Sequence, residues 1–143
     1  MVKILVCGGR DFGDLPPSNH ELYEQCLAEK MFVLRSLDTK LGSIPANDLT
    51  IISGCAKGPD SIALEWAATN GTYVKRFRAD WGSYKKAAGI IRNKQMLEEG
   101  EPDVVLAFPG GTGTANMKSI AKAAGVKVIE YTWEPYEQFT RNK

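Results

Sequence analysis

Five short apolar runs, separated by stretches with helical spacing, leave this chain few ways to fold. Val2–Cys7, Leu49–Ser53, Thr72–Ala79, Asp103–Phe108 and Lys127–Tyr131 all have strand length. The first runs directly into Gly8-Gly9, the second into Gly54, and the fourth into Pro109-Gly110-Gly111. Between the first two, Pro16-Pro17 precede Ser18-Asn19-His20-Glu21, which fits a capping box. Tyr23, Leu27, Leu34, Leu37 and Leu41 then share one helical stripe, with Gly42 as its stop. Pro59 suits a first helical position, and Ile62 to Ala68 is apolar almost all round, so that helix is expected to be deeply packed, with Trp66 in the core. Tyr84 to Glu99 reads as a further helix despite Gly89. Met117, Ile120, Ala121 and Ala124 mark another, ended by Gly125, and Glu134 onward predicts a short last one.

Strands and helices alternating in this order predict an α/β fold. The expectation is a Rossmann-like three-layer domain with a mostly parallel sheet of about five or more strands. Crossovers should be right-handed. At 143 residues, positions 1–143 make a single domain. A chain of this size buries roughly 68–70% of its unfolded surface, so it needs no disulfide or metal staple. Ligands of such sheets bind beyond the carboxyl ends of the strands, where the strand order reverses, and the glycine-rich segments fall at those ends.

Three strand ends carry unusual sequences: Gly8-Gly9-Arg10-Asp11, Ser53-Gly54-Cys55-Ala56-Lys57-Gly58, and Pro109-Gly110-Gly111-Thr112-Gly113-Thr114. Glycine lets backbone N–H groups approach an anion with no side chain in the way, and a helix starting directly afterwards adds its positive end. Thr112 and Thr114 offer two hydroxyl donors. Glycines also simply make tight strand-to-helix turns, but three such loops at one edge favour a phosphate cradle. No G-x-G-x-x-G follows the first strand and no G-K-[ST] occurs, so this is neither the dinucleotide fingerprint nor a P-loop.

Other residues have two readings each. Arg92, beside Asn93, either pairs with phosphate or lies on a solvated helix face. Asp60 either works in the site or offsets a helix dipole. Asp80, with Trp81 and Tyr84, either walls a ribose and base or makes a plain turn. Arg92, Asp11, Asp60 and Asp80 are the candidate catalytic groups; the expected ligand contacts add Gly8, Gly9, Arg10, Ser53, Gly54, Lys57, Gly58, Asn93, Gly110, Gly111, Thr112, Gly113 and Thr114.

A net charge of +1 gives no broad attraction to nucleic acid or to an acidic membrane. Cys7, Cys26 and Cys55 are odd in number and widely spaced, which argues against a disulfide framework and a zinc site. His20 reads as an ordinary surface residue. No metal or other cofactor is expected. No apolar run approaches the roughly 20 residues of a membrane span, and Val2–Cys7 is too short for a secretion signal. The expectation is a cytoplasmic protein.

These loops together resemble the SLOG superfamily, which joins the LOG proteins, the DprA proteins and the YspA-like proteins. The likeness is strongest to the YspA-like branch: Gly8-Gly9-Arg10-Asp11-Phe12, Ser53 to Asp60, Ile91-Arg92-Asn93-Lys94-Gln95-Met96, and the Gly-Thr loop. The resemblance implies binding of a nucleotide or nucleotide-derived small molecule, with an ADP-ribose-like signal among the options. It also implies self-association into a dimer. LOG enzymes are phosphoribohydrolases whose signature P-G-G-x-G-T is followed, after two intervening residues, by a glutamate. Pro109 to Thr114 match it, but Met117 stands at the glutamate position. Hydrolysis of a nucleoside monophosphate is therefore the alternative rather than the first expectation. DprA proteins bind single-stranded DNA; this chain lacks their extra modules, so nucleic acid is the least favoured ligand.

Overall fold

Alternate residues of each central strand enter opposite cores. On β1 (Val2–Cys7) Ile4 and Val6 join one apolar cluster, while Leu5 and Cys7 join the other. On β2 (Leu49–Ser53) Ile51 and Ile52 divide in the same way. Side chains on a strand point to alternating faces, so strands buried on both faces read as continuous apolar runs. The first face is covered by α1 (Tyr23–Leu41) and α2 (Pro59–Asn70). β3 (Tyr73–Arg76) and the one-turn α3 (Trp81–Tyr84) follow in the chain. The second face is covered by α4 (Ala88–Gly100) and α5 (Thr112–Ala123), which flank β4 (Val104–Ala107) in sequence; β5 (Lys127–Glu130) ends the sheet.

The structure, a computed structural model, is described for residues 1–134; the last helix expected from Glu134 falls, past that residue, outside them. All five strands are parallel, in the order β3-β2-β1-β4-β5. The chain builds outward from β1 in one direction through β2 and β3, then returns to build in the other through β4 and β5. With crossovers of one hand, that reversal puts the first two helices on one face and the later two on the other. It also opens the sheet's carboxyl edge between β1 and β4. This is the expected Rossmann-like three-layer architecture.

Four local expectations are corrected. No capping box starts α1: the helix begins at Tyr23 behind Leu22, and the Leu22 N–H donates to His20 Nδ1 at 3.0 Å. Its buried residues are Glu29, Val33, Leu37 and Leu41, so the stripe keeps Leu37 and Leu41 but runs back through Val33 and Glu29 rather than Leu34 and Leu27. The helix expected over Tyr84–Glu99 is broken, because Asp80 caps a single turn and Lys85 then takes φ +52°, which interrupts the helical ladder. The third strand is four residues long rather than eight. Trp66 is buried as expected, its indole N–H donating to Asp38 Oδ1 at 2.7 Å.

Candidate functional site

Loop 1 (residues 8–22) and loop 3 (residues 108–111) meet backbone to backbone at the β1/β4 gap. The Gly9 N–H donates to Pro109 O at 2.8 Å. A Cβ at Gly9 would lie 2.9 Å from Gly110 Cα, and one at Gly110 2.6 Å from Gly9 N. Loop 2 (residues 54–58) closes from the other side: Gly58, at φ +80°, is packed against the carbonyls of Gly9, Arg10 and Phe12. Gly8 is packed against Pro59. These glycines are required because three backbones cross where no side chain fits.

Loop 2 is shaped by Ser53, whose buried hydroxyl donates to Asp60 O at 3.0 Å and accepts from the Cys55 N–H at 3.1 Å. Cys55 sits at φ +63°, a conformation the sequence did not reveal. A relay of side chains then ties loop 2 to α5. Arg92 Nη1 donates to Gly54 O at 2.6 Å, and Arg92 Nε donates to Asn93 Oδ1 at 3.2 Å. Asn93 Nδ2 in turn donates to Gly113 O at 3.1 Å and Asn116 Oδ1 at 3.0 Å. Arg92 is half-buried and Asn93 buried. Arg92 is therefore no solvated surface residue; Gly54 is glycine because its Cβ would lie 2.6 Å from Arg92 Nη1 and 2.9 Å from Asp60 Oδ2.

The cleft over this arrangement measures about 470 Å³, inside the range of about 300–1,000 Å³ for small-molecule sites. Gly111, Thr112, Gly113 and Thr114 form one wall, Gly8, Gly9 and Arg10 another, and Arg92 and Asn93 a third. Trp81, Lys86 and Ile90 stand at the cleft as well, and Cys7, Met96 and Met117 also line it. The sequence had offered Trp81 as part of a wall and Met117 at the glutamate position, but it did not point to Lys86, Ile90, Cys7 or Met96, since only packing brings these to the cleft. Arg10 is held with its guanidinium 4.9 Å from the Trp81 ring centroid, a cation–π contact. α5 opens without a side-chain cap, so the first N–H groups of this twelve-residue helix have no partner from a capping side chain.

Of the candidate carboxylates only Asp60 lines this cleft. It is buried, and loss of solvent raises its pKa to about 6 despite the opposing pull of Arg92, the Ala56 N–H and Arg10. The Ala56 N–H donates to its Oδ2 at 3.3 Å. Asp80 is exposed and accepts from the Ser83 N–H at 3.1 Å as the cap of α3. Asp11 faces a neighbouring cleft, and Lys57 is exposed on loop 2. Burial pushes the Cys7 thiol up to about 12, so it stays protonated and unreactive. Among the described residues no group of three His, Cys, Asp or Glu side chains is placed to hold a metal ion, and no helix is long and apolar enough to cross a membrane.

Residues 2–84 match the family described as YspA, cpYpsA-related SLOG. The chain belongs to this family. The matched segment carries loops 1 and 2 and ends with α3, before Arg92 and loop 3. The chain is also similar to the Gene 61 protein of Mycobacterium phage D29, at 39% identity over 94 residues, covering 61% of this chain and 74% of that one. Among solved structures it is similar to the X-ray structure of TM1055, with a TM-score of 0.60 at 20% identity over 90% of this chain and 72% of that one. That likeness is one of fold.

Proposed function

We propose that this SLOG protein binds a nucleotide or a nucleotide-derived small molecule, with its phosphate on Gly110–Thr114 at the start of α5. One observation carries the reading. A Cβ at Gly111 or Gly113 would meet nothing within 4 Å, and neither residue has a positive φ. Neither glycine is needed by packing, so the freedom they provide is access to the uncapped N–H groups of α5. Arg10, Arg92 and Lys86 add positive charge at the same cleft. Titration calorimetry with nucleoside mono- and diphosphates tests this. The wild type should bind at least one of them and the folded Gly111→Val variant none; equal affinity for both proteins removes the proposal.

Asp60 favours a second reading, base cleavage from a nucleoside monophosphate, because it brings a carboxylate to the cleft. Such cleavage develops positive charge on the ribose, which a carboxylate stabilises. Met117, 1% exposed, packs with Met96 and Ala121 and cannot do so. We expect slow or no release of base from AMP, GMP, CMP or UMP by chromatography. Robust turnover abolished by Asp60→Asn would make this the first reading. We also propose that the protein is cytoplasmic and self-associates, supported for the latter by the exposed Trp81, Tyr84, Ile90 and Ile91 beside the cleft; a monomeric mass by light scattering at tens of micromolar (roughly the range of weak association) would reject the association.

A further inference from the structure

We propose that the carboxyl edge of the sheet on its β3 side is a docking strip for a single-stranded nucleic acid, independent of the phosphate site proposed above. The whole-chain charge of +1 conceals a strong asymmetry. Seven of the 18 Lys and Arg residues, but only one of the 17 Asp and Glu, fall between Tyr73 and Lys94. That stretch therefore carries +6 and the remainder of the chain −5. Three of its cations are engaged. Lys75 Nζ donates to Glu99 O at 2.7 Å, Arg92 Nη1 donates to Gly54 O, and Lys94 Nζ lies 3.8 Å from Glu98 Oε1. Arg76, Arg78, Lys85 and Lys86 are exposed, and among the described residues none of them has a carboxylate within ion-pair distance.

The fold gathers these charges around two exposed rings. Arg76 ends β3 in register with Ser53 of β2, and the Phe77 N–H donates to Ser53 O at 2.9 Å. Arg78 thus leaves the sheet beside loop 2, which exposes Lys57. Asp80, the one acid of the stretch, is held as the cap of α3. Trp81 and Tyr84 are 46% and 50% exposed and stand three residues apart on that helical turn, so they are neighbours on one side of it. Lys85 and Lys86 follow directly in a 3-10 turn, and Arg10 of loop 1 lies against the Trp81 ring. Of this strip only Arg10, Trp81 and Lys86 line the cleft over α5.

The combination of charge and rings selects the partner. Cations follow a phosphate backbone, and an exposed ring takes any unpaired base on its face, whatever the sequence. In a duplex those faces are already stacked inside, so the rings would gain nothing. An acidic protein would use the cations and leave the rings idle. Docking on a membrane surface calls for a long apolar helix face, which a single turn lacks. Trp81 and Tyr84 also belong to the surface proposed for self-association, so a strand and a second copy compete for them.

Fluorescence anisotropy of the whole chain with labelled oligo-dT and oligo-U of about 15 nucleotides tests this, with both ends blocked so that no terminal nucleotide enters the cleft. At least one of them should bind with a Kd of micromolar order at about 50 mM salt and weaken about tenfold or more by about 200 mM, the response to three or four phosphate contacts. The paired change Trp81→Ala with Tyr84→Ala should weaken the single strand by about tenfold or more and leave a duplex of equal length unaffected. Arg76→Gln with Arg78→Gln should lower the salt slope by about 1.4, since each lost phosphate contact removes about 0.7. No binding of either oligonucleotide at about 50 mM salt overturns the proposal. So does unchanged strand affinity in either paired variant with a wild-type unfolding midpoint. So does displacement of the strand by an equal charge of poly-glutamate or of phosphatidylserine vesicles, which would give the strip to an acidic protein or to a membrane. The nucleotide reading of the cleft stands or falls separately, on mononucleotide binding.

Discussion

Around the ends of β1 and β2 the glycines are tightly enclosed, whereas at the start of α5 they stand in the open. A Cβ on Gly8, Gly9, Gly54 or Gly58 would strike Pro59, Gly110, Arg92 or the Gly9 carbonyl. A Cβ on Gly111 or Gly113 would touch nothing. One residue type thus answers two demands: the first group lets three loops cross and assemble the edge of the sheet, and the second keeps a helix terminus accessible. Gly110 sits between them, exposed on top but with its missing Cβ 2.9 Å from Thr114 Cβ.

That contrast breaks most sharply if stability is measured at both groups. The largest loss is expected for Gly58→Ala, which forces φ +80° on an alanine and drives its Cβ into the Gly9 carbonyl. Strain and overpacking together should cost about 3 kcal/mol or more in denaturant unfolding. A loss under about 1 kcal/mol would mean that the loops have room to separate.

Asp60 gives the next largest effect, and it depends on pH. Its folded pKa of about 6 lies above the 3.8 of a solvated aspartate, as in the unfolded chain, because burial disfavours the charge. Below about pH 4 both states hold the proton and no penalty arises. As pH rises toward 6 the unfolded chain releases the proton first, so the wild type loses stability, on the order of 3 kcal/mol from this group, and the loss levels off above pH 6. The Asp60→Asn variant should lack that slope, so its advantage over the wild type grows between pH 4 and 6. Parallel curves for the two proteins would place Asp60 in a wetter setting.

Arg92→Ala sharpens the comparison because Arg92 belongs to both groups. It holds Gly54 O and stands at the cleft over α5 where phosphate binding is proposed. Stability should fall by about 1.5 kcal/mol and nucleotide affinity by roughly 1.5–3 kcal/mol, the range for hydrogen bonds to a charged group. A stability loss with affinity intact would confine Arg92 to scaffolding. The smallest change in stability is expected for Gly111→Val, below about 0.5 kcal/mol, the same variant in which binding should vanish. A clear drop in its unfolding midpoint would mean that this glycine, too, is there for packing.

The alternation of apolar runs with helical spacing determined the layered architecture from the sequence alone, since burial on both faces leaves a parallel strand no polar positions. The positions of β1, β2, β4 and β5 were legible to within a residue or so, and so was the gathering of loops 1 to 3 at one edge, because every parallel strand ends on the same side. Other features were not legible. The break at Lys85 and the uncapped start of α1 depend on local backbone choices that tertiary contacts settle. Asp11, Asp60 and Asp80 look alike in sequence, one aspartate near each of three strand ends. Only the fold buries Asp60, in the first turn of α2, near Arg92 of α4, leaves Asp80 as a helix cap and turns Asp11 to the neighbouring cleft. Likewise, a run such as Gly110-Gly111-Thr112-Gly113 states that side chains are missing but not why. The reason lies in what stands within 4 Å, and those neighbours come from Gly9 and Thr114, brought there by a sheet order that places β1 beside β4 although about a hundred residues of chain separate them.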